Sequence, residues 1–311
     1  MSTISEKLTQ LNTIKGDIKT AINNKGGEVG NDFSTYATAI NNLSTGSGGS
    51  GETHVNPDFY ELRTQNGTNY EYLFKNYNGS DIDVSAWDTS KVTNASYCFS
   101  YCYKSINISN WDLSNLTNAY YMFDHFTNGN KYIDLSVLDF SNVNNASNMF
   151  YYSNTDYLDV RNINLTKVTS YFNLFGSCSG DELDLSSWDI SKVTSLSNMC
   201  SFSKFKKINL TGWNTINITN MSYIFRSSAN LETLLIPDWD MTNTTNTSYF
   251  LSSNTKLIYI DLSRSNDLTI KKIASMLPST AGTMVIPSST SQTAIDAVTA
   301  KGWTTTTEPT Q

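Results

Sequence analysis

Charge is scarce in this chain. Asp, Glu, Lys and Arg make up 16% of its 311 residues, against about 25% in an average soluble domain. The 21 basic residues face 28 acidic ones, for a net charge of −7, so a phosphate backbone is repelled on average and no nucleic-acid partner is expected. There are 2 histidines, His54 and His125, and neither stands at a metal-ligand or catalytic-triad spacing. No G-x-S-x-G, phosphate-loop or H-E-x-x-H pattern occurs. These absences point away from an enzyme and towards a protein with no metal and no cofactor. The 4 cysteines are too sparse for a disulfide scaffold. No stretch approaches the ~18 apolar residues of a spanning helix, so no membrane insertion is expected. Met1-Ser-Thr-Ile-Ser-Glu-Lys-Leu8 has no signal-peptide core and the last residues form no hydrophobic tail, so neither export nor anchoring is anticipated.

Asn, Ser and Thr take the place of the missing charge, together with 18 Tyr, 14 Phe and 6 Trp. So many aromatics at so low a net charge exclude bulk disorder. Ser44-Thr-Gly-Ser-Gly-Gly-Ser-Gly51 is a flexible linker by composition, and residues 44–56 are read as one. Ahead of it, Ile4, Leu8, Leu11, Ile14, Ile18 and Ile22 recur at three- and four-residue steps, the stripe of one helix face. Thr3 with Glu6 has the spacing of a capping box. Residues 1–43 are therefore expected to form an N-terminal α-helical segment. Ile4, Leu11 and Ile18 share a heptad position, so the segment suits attachment or oligomerisation, a trimer being one form it could take. The plainer alternative is a two-helix hairpin folded back on the rest of the chain.

After the linker the sequence repeats. An apolar pair, one residue apart, recurs as Ile82/Val84, Ile106/Ile108, Ile133/Leu135, Leu158/Val160, Leu183/Leu185, Ile208/Leu210, Leu234/Ile236 and Ile260/Leu262. Three residues after each second member but the last stands Trp87, Trp111, Leu138, Ile163, Trp188, Trp213 or Trp239. Five further on comes Val92, Leu116, Val143, Val168, Val193, Ile218 or Thr244. The unit closes on an apolar doublet, from Cys98-Phe99 to Tyr249-Phe250. Counted from Phe74, the closing residues are 25, 24, 27, 25, 25, 25 and 25 apart, within the leucine-rich-repeat range of about 20–29.

This period predicts a repeat solenoid, leucine-rich-repeat-like, over residues 57–265. Each pair is a short parallel strand, and each column is a buried ladder formed by stacking like on like. The cysteines fit as packing residues. Cys98 and Cys200 stand in the closing doublets, and Cys102 and Cys178 share a small position where other repeats mostly have Ser. An open stack needs capped ends. A small α/β C-terminal cap is expected over residues 266–311, from a helix at 268–277, a strand at 283–286 and a helix at 293–301.

Leu183-Asp-Leu-Ser-Ser-Trp-Asp-Ile-Ser-Lys-Val-Thr-Ser-Leu-Ser-Asn-Met-Cys200 resembles the BspA-like leucine-rich-repeat family of bacterial surface proteins. So does the matching segment Val84–Phe99. The resemblance covers about residues 70–265 and implies adhesion or protein interaction. Leu11-Asn-Thr-Ile-Lys-Gly-Asp-Ile-Lys-Thr-Ala-Ile22, with the next residues to Ile40, resembles the N-terminal attachment segment of bacteriophage fibre and other virion proteins. Together they imply a virion structural protein, a head or tail fibre or appendage. It would dock on capsid or tail proteins through residues 1–43 and offer the solenoid to a host cell-surface protein or glycan. The alternative is a BspA-like adhesion or protein-interaction protein of the bacterial cell surface.

Two surfaces are candidates for binding. Between the inward strand residues lies an outward one. In Asp134, Asp159 and Asp184 it would stack three carboxylates about 4.8 Å apart, a cation or basic-partner stripe or simply a solubilising one. The second surface is aromatic. Two residues after the Phe position stand Tyr101, His125 and Tyr152, and later Ser177, Phe202, Ser227 and Ser252, with Tyr97, Tyr120, Tyr121, Tyr151 and Tyr171 nearby. Tyr and Ser on a rigid frame are common in recognition surfaces, because Tyr supplies contact area at low entropic cost. Tyr101, Tyr121, His125 and Tyr152 are the candidate ligand-binding residues.

Overall fold

The computed structural model describes residues 67–77, 82–85, 87–104, 106–126 and 133–307. The segment 1–43 and its apolar stripe, the linker, and His54 lie outside the described residues. The chain divides into two units between Asn56 and Pro57, at the end of the segment read as a linker. All the described residues belong to the second unit.

One short strand marks each coil: β1 (Ile82–Asp83), β2 (Ile106–Asn107), β3 (Ile133–Asp134), β4 (Leu158–Asp159), β5 (Glu182–Asp184), β6 (Lys207–Asn209), β7 (Thr233–Leu235) and β8 (Tyr259–Asp261). Neighbouring strands pair parallel, with Ile82 against Ile106, Ile133 against Leu158 and Leu183 against Ile208. That register is the one read from the apolar pairs, and it makes the unit a solenoid of stacked coils. Among the described residues the strand ladder is discontinuous, however. β1–β2 and β3–β4 stand as separate pairs, and a six-stranded sheet begins at β5. Two further strands extend that sheet beyond β8. Helix α1 (Asp267–Met276) leads to β9 (Thr283–Val285), and α2 (Gln292–Thr299) leads to β10 (Thr304–Thr306). Asn266 caps α1 by accepting the Thr269 amide at 2.8 Å. Ile270, Ile273 and Ala274 form its buried face. The last strand, β10, carries three threonines and no apolar signal, and the sequence reading does not anticipate it.

The Trp column is buried at Trp111, Leu138, Ile163, Trp188, Trp213 and Trp239, while Trp87, at its N-terminal end, is half-buried. The indole N–H of Trp111 donates to the Val84 carbonyl at 3.0 Å, that of Trp188 to Val160 at 2.9 Å and that of Trp213 to Leu185 at 2.9 Å. The same carbonyls already accept the backbone N–H three residues on in two of these coils, at Trp87 and Trp188. Tryptophan thus joins coils through a carbonyl whose second lone pair would otherwise be buried unused.

Opposite the strands, Phe74, Phe99, Phe123, Phe150 and Phe175 stack face to face, with centroids 5.2–5.9 Å apart and planes within 12°. Cys200, Phe225 and then Leu251 continue the column. Leu251, and not Phe250, is a correction to the sequence register. Each Val-position residue precedes its Phe-position residue by seven, and Thr244 leads to Leu251 by that count. The backbone agrees. Cys200 N–H donates to the Ile224 carbonyl, just ahead of Phe225, and Phe225 N–H to Phe250, just ahead of Leu251.

The corners explain the Asn, Asp and Ser content. A side-chain oxygen accepts the N–H two residues on, the bond that closes an Asx turn. It recurs at Asp88, Asp112, Asp139, Asp189 and Asp240 after the Trp position. It recurs again at Asn69, Asn94, Asn118, Asn145, Asn220 and Asn246 ahead of the Phe column. The amides of Asn94, Asn118 and Asn145 also each donate to the preceding Asn oxygen, at 3.0, 2.9 and 3.2 Å. Short polar side chains bend the coil, and ring stacking holds the coils together.

Phe150 stands between two rings in the middle of the stack. Phe150→Ala is expected to lower the unfolding free energy by about 3–5 kcal/mol through the cavity it leaves. Chemical denaturation reads this directly, and a loss below about 1 kcal/mol would contradict the ladder.

Candidate recognition site

The wall that carries the Phe column is made of successive tight turns. Cys98 N–H bonds the Ala95 carbonyl and Cys102 N–H the Phe99 carbonyl. The alternate amides of Tyr97, Phe99 and Tyr101 bond Tyr120, Met122 and Asp124 of the next coil. Every second amide closes a turn and every other one reaches across, so no backbone donor is orphaned. Such a path requires left-handed residues two before and two after the Phe position. They are found at Tyr97 (φ 56°) and Tyr101 (φ 54°), Tyr121 (53°) and His125 (53°), Asn148 (57°) and Tyr152 (59°). In the last coil they are Tyr249 and Ser253, so Ser253 replaces Ser252 in the column that starts at Tyr101.

Bulky residues rarely adopt this backbone, and each costs on the order of 1–3 kcal/mol there. Glycine would be cheaper, and asparagine, as at Asn148, Asn173 and Asn198, is a common compromise. Aromatics in these positions stack instead, as two ladders in the first coils and as a Tyr223–Tyr249 pair at 5.0 Å further on. Tyr72, Tyr97 and Tyr121 stack at 5.0 and 4.9 Å. Tyr101, His125 and Tyr152 stack at 4.0 and 4.6 Å. Tyr120 and Tyr151 meet the ladders edge-on. A stacked pair contributes about 0.5–1.5 kcal/mol beyond burial, which offsets only part of the backbone strain. Packing alone therefore does not account for aromatics here.

All four candidate residues lie on this face. Tyr101, Tyr121 and His125 are half-buried, and Tyr152 is 47% exposed. Tyr171, grouped with them in the sequence reading, is instead fully buried against Trp188. Its position falls in the inward Ala/Leu column beside Ala146 and Leu196. Burial raises the phenol pKa values of Tyr97 and Tyr121 to about 12, with Tyr120 adding to both. These hydroxyls are neutral donors at any physiological pH. Lys75 lies 4.8 Å from the ring centres of both Tyr72 and Tyr97. Arg226 covers Phe202, Tyr223 and Tyr249 at 5.2–5.8 Å.

Beneath the second ladder is a group that the sequence reading missed. Asp124 is 4% exposed. Its carboxylate accepts Nδ1–H of His125 at 2.6 Å and the Ser100 hydroxyl at 2.9 Å. The bond fixes the tautomer of His125, leaving Nε2 3.1 Å from the Tyr101 hydroxyl. Burial raises the Asp124 pKa; its bonds to His125 and Ser100 work in the opposite direction. Asp124-His125 is the only Asp-His pair in the chain, and the turn geometry would have been needed to see that one faces in and the other out.

Strand pairing joins the acidic stripe at one of its two steps. Asp134 is in register with Asp159, but Asp184 pairs with Asn209, and no strand pairing links β4 to β5. Asp159 accepts the Arg161 N–H at 3.0 Å and binds its guanidinium through both oxygens, at 3.0 and 2.8 Å. Asp184 accepts the Ser186 N–H at 3.0 Å and the Asn209 amide at 3.1 Å. Asp159 and Asp184 thus each turn the chain at the strand end. Among the described residues, no group of three or more His, Cys, Asp or Glu is placed to hold a metal ion. The cysteines are all buried and reduced, and burial pushes their thiols up, Cys102 to about 11.

The family described as "Mycoplasma protein of unknown function, DUF285" matches residues 50–136, 68–181, 129–208 and 198–287. The chain belongs to this family. Four overlapping matches over one continuous stretch agree with the repeat read from the columns, and with a BspA-like, leucine-rich-repeat-like solenoid. No curated protein matches the chain.

Asp124 also yields a prediction. A carboxyl whose folded-state pKa is raised contributes stability at low pH that is lost as pH rises through that value. Asp124→Asn keeps an acceptor for His125 and Ser100 but carries no charge. The stability of the wild type relative to Asp124→Asn is therefore expected to fall as pH rises from 4 to 7. Denaturation curves at both pH values test it, and a difference that grows with pH would overturn it.

Proposed function

We propose that the protein is a non-enzymatic recognition protein whose solenoid binds a host cell-surface molecule through the aromatic face of its first coils. The observation that carries this reading is the run of aromatics at strained left-handed positions in the first coils, with Tyr101, Tyr121 and Tyr152 among them; in later coils Asn173, Asn198, Ser177, Ser227 and Ser253 share these positions with Phe202, Tyr223 and Tyr249. A rigid frame presenting phenol hydroxyls and ring edges is suited to selective contact at low entropic cost. In this reading the elements after residue 266 cap the open end of the stack. Residues 1–43 dock on capsid or tail proteins, helped by self-association through Ile4, Leu8, Leu11, Ile14, Ile18 and Ile22, and the protein is a bacteriophage head or tail appendage. The resemblance of residues 11–40 to virion attachment segments supports this placement. A second reading, a BspA-like bacterial surface protein, is favoured by the family description, which names a cellular organism. Capsid or tail genes beside the coding sequence would support the first reading; their absence would support the second.

Replacing Tyr101, Tyr121 and Tyr152 together with Ser should leave the fold intact, since Ser177 and Ser227 already occupy the column of Tyr101 and Tyr152, and small polar Asn173 and Asn198 the column of Tyr121. Attachment to host cells should drop at least tenfold, and unchanged binding by the folded triple variant would refute the recognition face. Deleting residues 1–43 should leave a folded, monomeric solenoid that no longer enters particles. Normal incorporation of the truncated protein would remove the docking role.

A further inference from the structure

The column that begins at Tyr101 is interrupted once and then resumes. Tyr152, Ser177 and Phe202 stand in consecutive coils with the same left-handed backbone, φ 59°, 57° and 59°. The Tyr152 N–H bonds the Gly176 carbonyl at 2.8 Å and the Ser177 N–H bonds the Ser201 carbonyl at 2.7 Å. The three side chains therefore leave the backbone from equivalent points, one coil apart. Tyr152 is backed by His125 at 4.6 Å, and Phe202 is backed by Arg226, from the coil beyond, at 5.2 Å. Each ring is covered on its outer side, yet they are 47% and 48% exposed. The open sides are those turned towards the coil of Ser177. The result is a notch, walled by two aromatic rings and floored by a serine.

We propose that this notch is a sugar-binding subsite that takes the pyranose ring of a surface glycan, edge first, between Tyr152 and Phe202. The proposal rests on the recognition reading above and names the ligand class. Size is the first argument. Two coil steps of about 4.8 Å place the walls roughly 10 Å apart. A flat aromatic guest at the ~3.5–4.0 Å contact optimum fills only about 7–8 Å of that. A puckered saturated ring with hydrogens on both faces is thicker and can touch both walls. The second argument is polarity at the floor. The Ser177 hydroxyl is half-buried and has no protein partner among the described residues. This hydroxyl can both donate to and accept from the hydroxyl edge of the guest while the walls meet its C–H faces. Charge is the third argument. Segments 148–153, 173–178 and 198–203 contain no Asp or Glu; Arg226 stands against the Phe202 wall, and the Asp124 carboxyl is bonded to the His125 that backs the Tyr152 wall. With one group of each sign behind its walls, the notch suits neutral sugars.

The column itself supplies the test. Ser177→Tyr would continue the stack and fill the notch at a backbone position equivalent to that of Tyr152, so the variant should fold, with the new ring contacts offsetting part of the backbone strain. The full chain, Ser177→Tyr and the double variant Tyr101→Ser/Tyr121→Ser are compared on immobilised oligosaccharides of neutral hexopyranoses and uronic acids, and on host cells before and after periodate oxidation. The expected result is binding by the wild type to a subset of the oligosaccharides, reduced at least tenfold in Ser177→Tyr. Cell binding should be abolished by periodate, which opens the sugar rings. Oligosaccharide binding retained in Ser177→Tyr, or none by the wild type, overturns the subsite. The recognition reading survives that failure if the wild type still binds cells and the double variant does not; it fails as well if the double variant binds cells like the wild type.

Discussion

Backbone donors on the curved wall of each coil cannot be satisfied within the coil alone. This constraint shapes the rest of the molecule. A strand can hand all its outward amides to a neighbour, but a chain that must also turn cannot. The alternation seen between Ala95 and Cys102 resolves this, one amide closing a turn and the next reaching the following coil. It holds only if two residues per coil are left-handed. It also sends the Phe-position ring into the core while the residues two before and two after it project outwards. Core stacking and surface chemistry are therefore consequences of one backbone pattern.

The same logic explains what could be read from the sequence. Columns that demand one kind of side chain were legible. The inward strand pairs, the Trp column and the Phe column each repeat at a fixed offset, because a stacked position sees nearly the same surroundings in every coil. Where that demand relaxes, legibility fails. In the last repeat Phe250 mimics the column residue, and the constant interval from Thr244, the backbone pairing of Phe225 and the left-handed Tyr249 show that Leu251 occupies it. The outward Asp residues of neighbouring strands looked like a charge ladder. Asp159, Asp184 and Asp261 each accept the amide two residues on, a local bond that periodicity cannot reveal. β10 has no apolar pattern, since its three residues are all threonine and it needs only an adjoining strand edge.

The candidate face was half legible. Contrast between Tyr and Ser along one column marked Tyr101, His125 and Tyr152. The depth of Asp124 did not emerge, because an Asp beside an outward residue reads as surface. Nor did the strained backbone, which separates this face from an ordinary run of exposed tyrosines. Family membership supports the repeat frame without assigning it a task. The functional reading consequently rests on chemistry particular to this chain.

The turn wall has a consequence for how such a protein can change. Its hydrogen bonds join main-chain atoms, and its two outward positions per coil share one backbone conformation whether they hold Tyr, His, Asn, Ser or Phe. The side chains there can be exchanged without moving the atoms that hold the coils together. Each coil is then a cassette with two variable letters on an invariant carrier, and the stack is a lattice in which a new binding pattern can be composed letter by letter. A surface that has to follow a shifting target gains from this separation, because mutational drift in its specificity leaves its architecture untouched.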